Sequence, residues 1–252
     1  MGLFDDAGAY DRFMGRFSEP LADRMLELLD PRPPQSALDV GSGPGAMTAR
    51  LAARLGPGAV SAIDPSASFV SALRDRLPQV EVAVASAEQL PFDDDRFDVA
   101  VAQLVVHFMA DPVAGLAEMG RVTRPGGTVA ACVWDNAGGG GPLSVFWEAV
   151  ARVDPTATGE RESPGSREGH LAELASAAGL HDVTPRTLSA QVPFATFEEW
   201  WAPYTLGVGP AGAYVRRCDD QRRQAVRDAC EGLLPPAPFE LSASAWCVTA
   251  RA

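Results

Sequence analysis

The sequence predicts an α/β protein built on a doubly wound sheet of seven strands with helices on both faces. Three observations carry that expectation. Five strand-like apolar runs alternate with amphipathic helical segments, a glycine-rich turn joins the first run to the first of these helices, and two longer strand-like segments close the chain. Strict alternation of strand and helix implies parallel strands joined by crossovers.

The first strand is expected at Ala37 to Val40, followed by a helix from about Ala46 to Leu55 that carries Met47, Leu51 and Leu55 on one face and stops at Gly56. A second strand follows at Ala59 to Ile63. Asp64-Pro65 then reads as a helix cap followed by proline at the first helical position, with Val70, Leu73 and Leu77 on the buried face. Val80 to Ala85 and Phe97 to Leu104 read as the third and fourth strands, and Asp111-Pro112 opens the next helix. Arg124-Pro125-Gly126-Gly127 turns the chain into a fifth strand, Thr128 to Trp134. After a loop at 138–141, helices are expected near Leu143 to Val153 and behind a Ser166 cap. The last two strands, His181 to Phe194 and Phe239 to Arg251, should pair as an antiparallel edge. Residues 195–238 between them form an insertion rich in aromatic side chains, with a helix near Asp219 to Gly232.

Bulk properties narrow the function. A hydrophobic content of 46% supplies a sizeable core, and the longest apolar stretch, Val99 to Ala110, is interrupted by Gln103 and His107 and falls short of the roughly 20 residues of a membrane span. The acidic start Met1-Gly2-Leu3-Phe4-Asp5-Asp6 is unlike a secretory signal. Four cysteines lack zinc-type spacing, so a reduced cytoplasmic setting with no metal is expected. A formal charge of −12 disfavours nucleic acid and anionic membranes as partners and points to a small molecule.

The chemistry concentrates at Leu38-Asp39-Val40-Gly41-Ser42-Gly43-Pro44-Gly45. Glycines there let the backbone approach a ligand closely. Read as Gly41, Gly43 and Ala46, the turn also fits a dinucleotide fingerprint, with Asp64 near the spacing of a ribose-binding acid. Asp39 separates the two readings. A carboxylate beside the turn would repel a pyrophosphate, whereas it suits the sulfonium and α-ammonium of S-adenosylmethionine (SAM).

Further motifs follow in order: Ile63-Asp64, Ser86-Ala87-Glu88 with Leu90-Pro91-Phe92, Phe97-Asp98 to Gln103, Val106-His107-Phe108-Met109-Ala110-Asp111-Pro112, and Arg121 to Gly127. Together with the glycine turn they make Tyr10 to about Trp134 resemble the class I SAM-dependent methyltransferases with their Rossmann-like fold. Within that family the chain is similar to the ubiquinone/menaquinone biosynthesis branch. The resemblance implies an N-terminal helical cap over 1–35 and a SAM-binding core over 36–135; the chain reads as a single domain, and the place of residues 195–238 between the last two strands reads as a lid-like insertion.

It also implies site roles. The backbone of Gly41, Ser42, Gly43 and Gly45 would pass the methionine part of SAM, Asp64 with Pro65 beside it would hold the ribose hydroxyls, and Ala87 would contact adenine between Ser86 and Glu88. Ser86 departs from the Asp often found there. Gln103 would lie beneath the sulfonium. Tyr10 would close over the methionine moiety, and Arg16 would reach its carboxylate, although an amphipathic helix with solvated arginines accounts equally for that segment.

His107 is the candidate general base, against a packing role beside the site. Trp200, Trp201 and Tyr204, with Phe197, form either a wall for the acceptor or the insertion's own core. The run Asp93-Asp94-Asp95 reads as a solvated turn, not a metal site. The reaction expected is direct displacement at the sulfonium methyl, with a small-molecule acceptor and a monomer or homodimer as the working unit. A non-catalytic SAM-binding protein and a nicotinamide-dependent oxidoreductase are the rival classes; Asp39 and the lack of a Tyr-x-x-x-Lys pair argue against the latter.

Overall fold

A computed structural model describes residues 11–252. Among these, seven strands form one sheet: β1 (Ala37–Val40), β2 (Val60–Asp64), β3 (Glu81–Val84), β4 (Phe97–Gln103), β5 (Thr123–Trp134), β6 (His181–Phe194) and β7 (Phe239–Arg251). Their spatial order is β3-β2-β1-β4-β5-β7-β6. The first five strands are parallel, and β7 runs antiparallel to β5 and β6, between which it lies. The seven-stranded, doubly wound expectation therefore holds, as does the antiparallel closing hairpin.

Every residue of β1 and β2 is buried, because helices cover both faces of the sheet. On one face lie α1 (Arg16–Leu29), α2 (Ala46–Leu55), α3 (Ala67–Arg76) and α5 (Ser144–Val153); their core includes Leu21, Met25, Leu51, Leu73 and Phe146. On the other face α4 (Pro112–Val122) and α6 (His170–Ala177) bury Leu116, Met119 and Leu171 against Leu38, Val40 and Ile63. Adjacent residues of β1 thus point into opposite cores, as the two-residue period of a strand requires. The chain steps outward from β1 to β3 and then returns to set β4 beside β1. That reversal opens a crevice at the carboxyl ends of β1 and β4.

Helix α2 has the predicted bounds and buried face, and Gly56 ends it by donating its N–H to Ala52 O at 2.9 Å. Asp111 caps α4 as predicted, accepting from the N–H groups of Val113 and Ala114. Two predicted caps are corrected. Ser66, not Asp64, caps α3 by accepting from Phe69 N; a 3₁₀ turn at Pro57–Ala59 also delays the start of β2. Ser166 does not cap α6: its hydroxyl donates to Arg161 O at 2.9 Å, and the helix starts after Gly169, whose φ of 78° breaks the chain direction. A shift in the β4–β5 register places Arg124 to Gly127 inside β5, where a turn leading into the strand was expected.

The insertion folds as α7 (Phe197–Trp201), a 3₁₀ turn at Ala202–Leu206, α8 (Gly209–Arg217) and α9 (Asp220–Leu233). Trp200, Trp201 and Tyr204 point into the core and are at most 4% exposed. Tyr204 stacks on Phe146 with centroids 4.6 Å apart and meets Phe13 edge-on at 4.9 Å. The wall of acceptor contacts expected from these three aromatics is corrected accordingly. Burial of so much ring surface stabilises the insertion against the sheet, which is the larger effect available to an aromatic in this position.

Trp200→Ala should therefore lower unfolding stability by about 3–5 kcal/mol, as truncation of a core aromatic does. Glu198→Ala, which removes only an exposed pair with Arg227, should lower it by less than about 1 kcal/mol. Denaturant unfolding of both variants checks the contrast; near-equal losses would contradict it.

Candidate functional site

The crevice at the switch point is a cleft of about 830 Å³, its open mouth included. Its floor is the turn from Gly41 to Gly45. Gly41 (φ 70°) and Gly45 (φ 99°) adopt left-handed backbone, and a Cβ at either would lie 2.5 Å or less from Val105 or Leu73. Side chains are thereby excluded on two counts, geometry and space. The N–H groups of Gly41 and Ser42 both donate to Ile63 O, at 2.8 and 2.9 Å, which ties the turn to the end of β2.

Two carboxyls brace this turn. Asp64, 6% exposed, accepts from Gly43 N at 2.9 Å and from Ser66 N at 2.8 Å, so one side chain joins the glycine turn to the cap of α3. Asp39 is 1% exposed and accepts from the Thr48 hydroxyl at 2.5 Å. Burial pushes the Asp39 carboxyl up to about 7, opposed by the Thr48 hydrogen bond and reinforced by the negative charge of Asp64. Burial likewise raises Asp64, while the two backbone N–H groups act in the other direction. No basic side chain lines the cleft among the described residues. The site is consequently suited to a cation.

Among the described residues, two buried polar atoms on the cleft lining lack partners: the Ser42 hydroxyl and Gln103 Oε1. Buried polar groups are normally paired, so orphans in a cleft mark where a ligand's polar groups belong. Gln103 Nε2 donates to Ser18 O at 3.0 Å, which docks α1 over the cleft. Leu104, next in the chain, has φ 62°, a left-handed conformation that costs a non-glycine residue on the order of 1–3 kcal/mol. Strain of this kind persists where the surrounding structure holds it, here by Leu104 N donating to Cys132 O at 2.9 Å.

Leu104 and Phe108 also line a second cavity, of about 500 Å³. Phe13 and Met14 just ahead of α1, Trp134 and Asn136 at the end of β5, Leu143, Glu160, and Val208 to Pro210 of the insertion complete it. His107 lies here, with Nδ1 buried and without a partner among the described residues and its ring 3.9 Å from that of Phe108. Burial lowers its pKa to about 4. At neutral pH the imidazole is therefore an uncharged hydrogen-bonding group and a poor proton acceptor, which departs from the general-base expectation.

Of the predicted cofactor residues, the structure brings Asp39, Gly41, Ser42, Gly43, Asp64, Pro65 and Gln103 together around one cleft; Gly45 shapes the turn without lining it. Tyr10 lies outside the described residues. Arg16 is turned away from the cleft: it pairs with Glu199 at 2.7 Å, donates to Pro193 O and covers the Phe194 ring, so it clasps α1 to the insertion. Ser86 is exposed, Ala87 packs in the core behind α4, and Glu88 accepts from the N–H groups of Ala110 and Asp111; none of the three lines the cleft. Pro65, Ser66 and Phe69 line that side instead. Sequence reasoning missed Thr48, Phe69 and Glu160, and only Thr48 left a signal, a hydroxyl one helical turn past the glycines.

Residues 38–131 match a protein family described as "Methyltransferase domain". The chain is also 31% identical over 184 residues to the ubiquinone/menaquinone biosynthesis C-methyltransferase UbiE of Cupriavidus metallidurans, an alignment covering 64% of this chain and 73% of that protein. The chain belongs to the class I SAM-dependent methyltransferases, in their UbiE-like branch. An uncharacterized methyltransferase of Mycobacterium tuberculosis is 37% identical over 128 residues, covering 51% of this chain and 49% of its own. The first curated relatives matched are covered over only 31% to 49% of their length. Among solved methyltransferase structures, phosphoethanolamine N-methyltransferase 2 of Haemonchus contortus, in complex with SAM, superposes with a TM-score of 0.61 at 17% identity, covering 97% of this chain and 56% of that one. At that identity the likeness concerns the fold.

In this methyltransferase fold Asp64 braces the turn as well as facing the cleft. Asp64→Ala leaves two N–H groups without acceptors and removes hydrogen bonds to a charged group, each worth about 1.5–3 kcal/mol. SAM affinity is expected to fall about tenfold to a thousandfold, with a lowered melting temperature. If the variant melts earlier but binds SAM normally, Asp64 is a structural brace only.

Proposed function

We propose that this chain transfers the methyl group of SAM to a small-molecule acceptor by direct displacement. The observation that carries this reading is the acid-lined cleft at the switch point, with Asp39 and Asp64 desolvated side by side and no basic group on its lining. The fit to SAM is good on three counts. Asp64 keeps lone pairs for the ribose hydroxyls, the Gly41 to Gly45 backbone admits the methionine part, and the unpartnered Ser42 hydroxyl and Gln103 Oε1 are the polar atoms such a ligand would satisfy.

SAM supplies a methyl group already activated on a sulfonium leaving group. What remains for the chain is alignment and exclusion of water. Gln103 holds α1 in place across the cleft, Leu104 and Phe108 separate the two cavities, and Val208 to Pro210 close the acceptor side. The insertion acts as a lid in this reading through the start of α8, its aromatics serving as the anchor.

The acceptor is a small organic molecule that the apolar second cavity can enclose. No helix among the described residues is long and apolar enough to cross a membrane. All four cysteines are buried and unpaired, which supports a reducing, cytoplasmic setting, with a monomer or homodimer as the working unit.

Calorimetry on the purified protein is expected to show binding of SAM and its product S-adenosylhomocysteine (SAH), and none of NADH. NADH binding without a SAM signal would overturn the reading.

A further inference from the structure

Among the described residues, no basic side chain partners the carboxyl of Glu160 at the second cavity. Glu160 lines it, and one oxygen of its carboxyl accepts from Trp147 Nε1 at 2.9 Å. Among the described residues it forms no ion pair, although the chain makes many arginine–carboxylate pairs elsewhere on its surface. Burial raises its pKa, and the indole hydrogen bond only partly offsets that effect. A desolvated carboxyl without a basic partner is costly when ionised, so a cation entering the cavity would be drawn to it and a second anion repelled.

The rest of the lining fits the same kind of guest. Phe13, Phe108 and Trp134 present aromatic rings, which hold cations by their faces as well as enclosing apolar groups. Neither lysine nor arginine is among the lining residues, so no cationic side chain there would pair with a carboxylate or a phosphate. His107 is uncharged at neutral pH and does not compete for Glu160 as a cation.

We propose that Glu160 anchors a positively charged amine on an otherwise apolar acceptor and excludes acceptors that carry a carboxylate or phosphate. This rests on reading the second cavity as the acceptor's site. It is a recognition role, with Glu160 acting on a nitrogen of the acceptor through an ion pair and not on the methyl group being transferred.

Three probes of similar size test it against the SAH-loaded protein: 2-phenylethylamine, 2-phenylethanol and 3-phenylpropionate, with binding read by titration calorimetry. The amine is expected to bind at least tenfold more tightly than the alcohol, and the carboxylate not measurably. In Glu160→Gln the amine should fall to the alcohol's affinity while SAH and the alcohol bind as before. Absence of amine binding, equal affinity of amine and alcohol, binding of the carboxylate, or a preference that survives the substitution would each overturn the anchor. Should the variant not fold, the ranking of the three probes on the unaltered protein decides alone. Failure of SAH itself to bind would overturn the methyltransferase reading along with the anchor, and so is distinguishable from failure of the anchor on its own.

Discussion

The burial of Asp39 beneath the glycine turn is the constraint on which the site depends. A carboxyl at 1% exposure, held by one hydroxyl from Thr48 and facing the field of Asp64, is poorly solvated as an anion. Its raised pKa means that the neutral form is the one the unliganded fold favours; ionisation takes stability away as pH rises from the ordinary carboxylate range through about 7. A cation in the cleft reverses that preference. The turn above Asp39 needs glycines for its left-handed backbone, and Asp64 braces it from the end of β2.

From that point the architecture extends outward in order. The switch between β1 and β4 creates the crevice, the crossover helix α2 contributes Thr48, and the end of β4 contributes Gln103 and the strained Leu104. Leu104 stands at the boundary of two cavities, one lined by Asp39 and Asp64, the other by Phe13, Phe108, Trp134 and Glu160. Helix α1 covers the first through the Gln103–Ser18 contact, and its Arg16 clasps the insertion that closes the second. Leu104 and Phe108 are common to both cavities, so the two share one wall.

The fold was largely legible in the sequence because its signals are local. Alternating runs, glycine stops and the Asp111-Pro112 cap set most elements within a few residues, and β6 and β7 have the predicted bounds. The errors share a cause. Ser166 and Asp64 looked like caps because their residue type favours that role, while in the fold their oxygens serve contacts that sequence spacing does not reveal. The candidate site was legible where it follows the backbone, from Asp39 to Gly45 and at Asp64 and Gln103. It was not legible where side chains arrive from distant segments: Arg16 meets Glu199 far along the chain, Trp200 and Tyr204 turn inward toward Phe146, and Glu160 reaches its cavity from an irregular stretch with no motif.

The central claim is that a buried carboxyl awaits a cationic ligand, and proton linkage tests it most directly. Titration of SAM at pH 6 in buffers of different ionisation enthalpy measures protons exchanged on binding. With the Asp39 carboxyl near 7 in the free protein, most molecules hold that proton at pH 6, and a bound sulfonium should drive it off. The account predicts net proton release at pH 6 that disappears above about pH 8 and is smaller in Asp39→Asn. Proton exchange that is zero at pH 6, or the same in Asp39→Asn as in the unaltered protein, would contradict it.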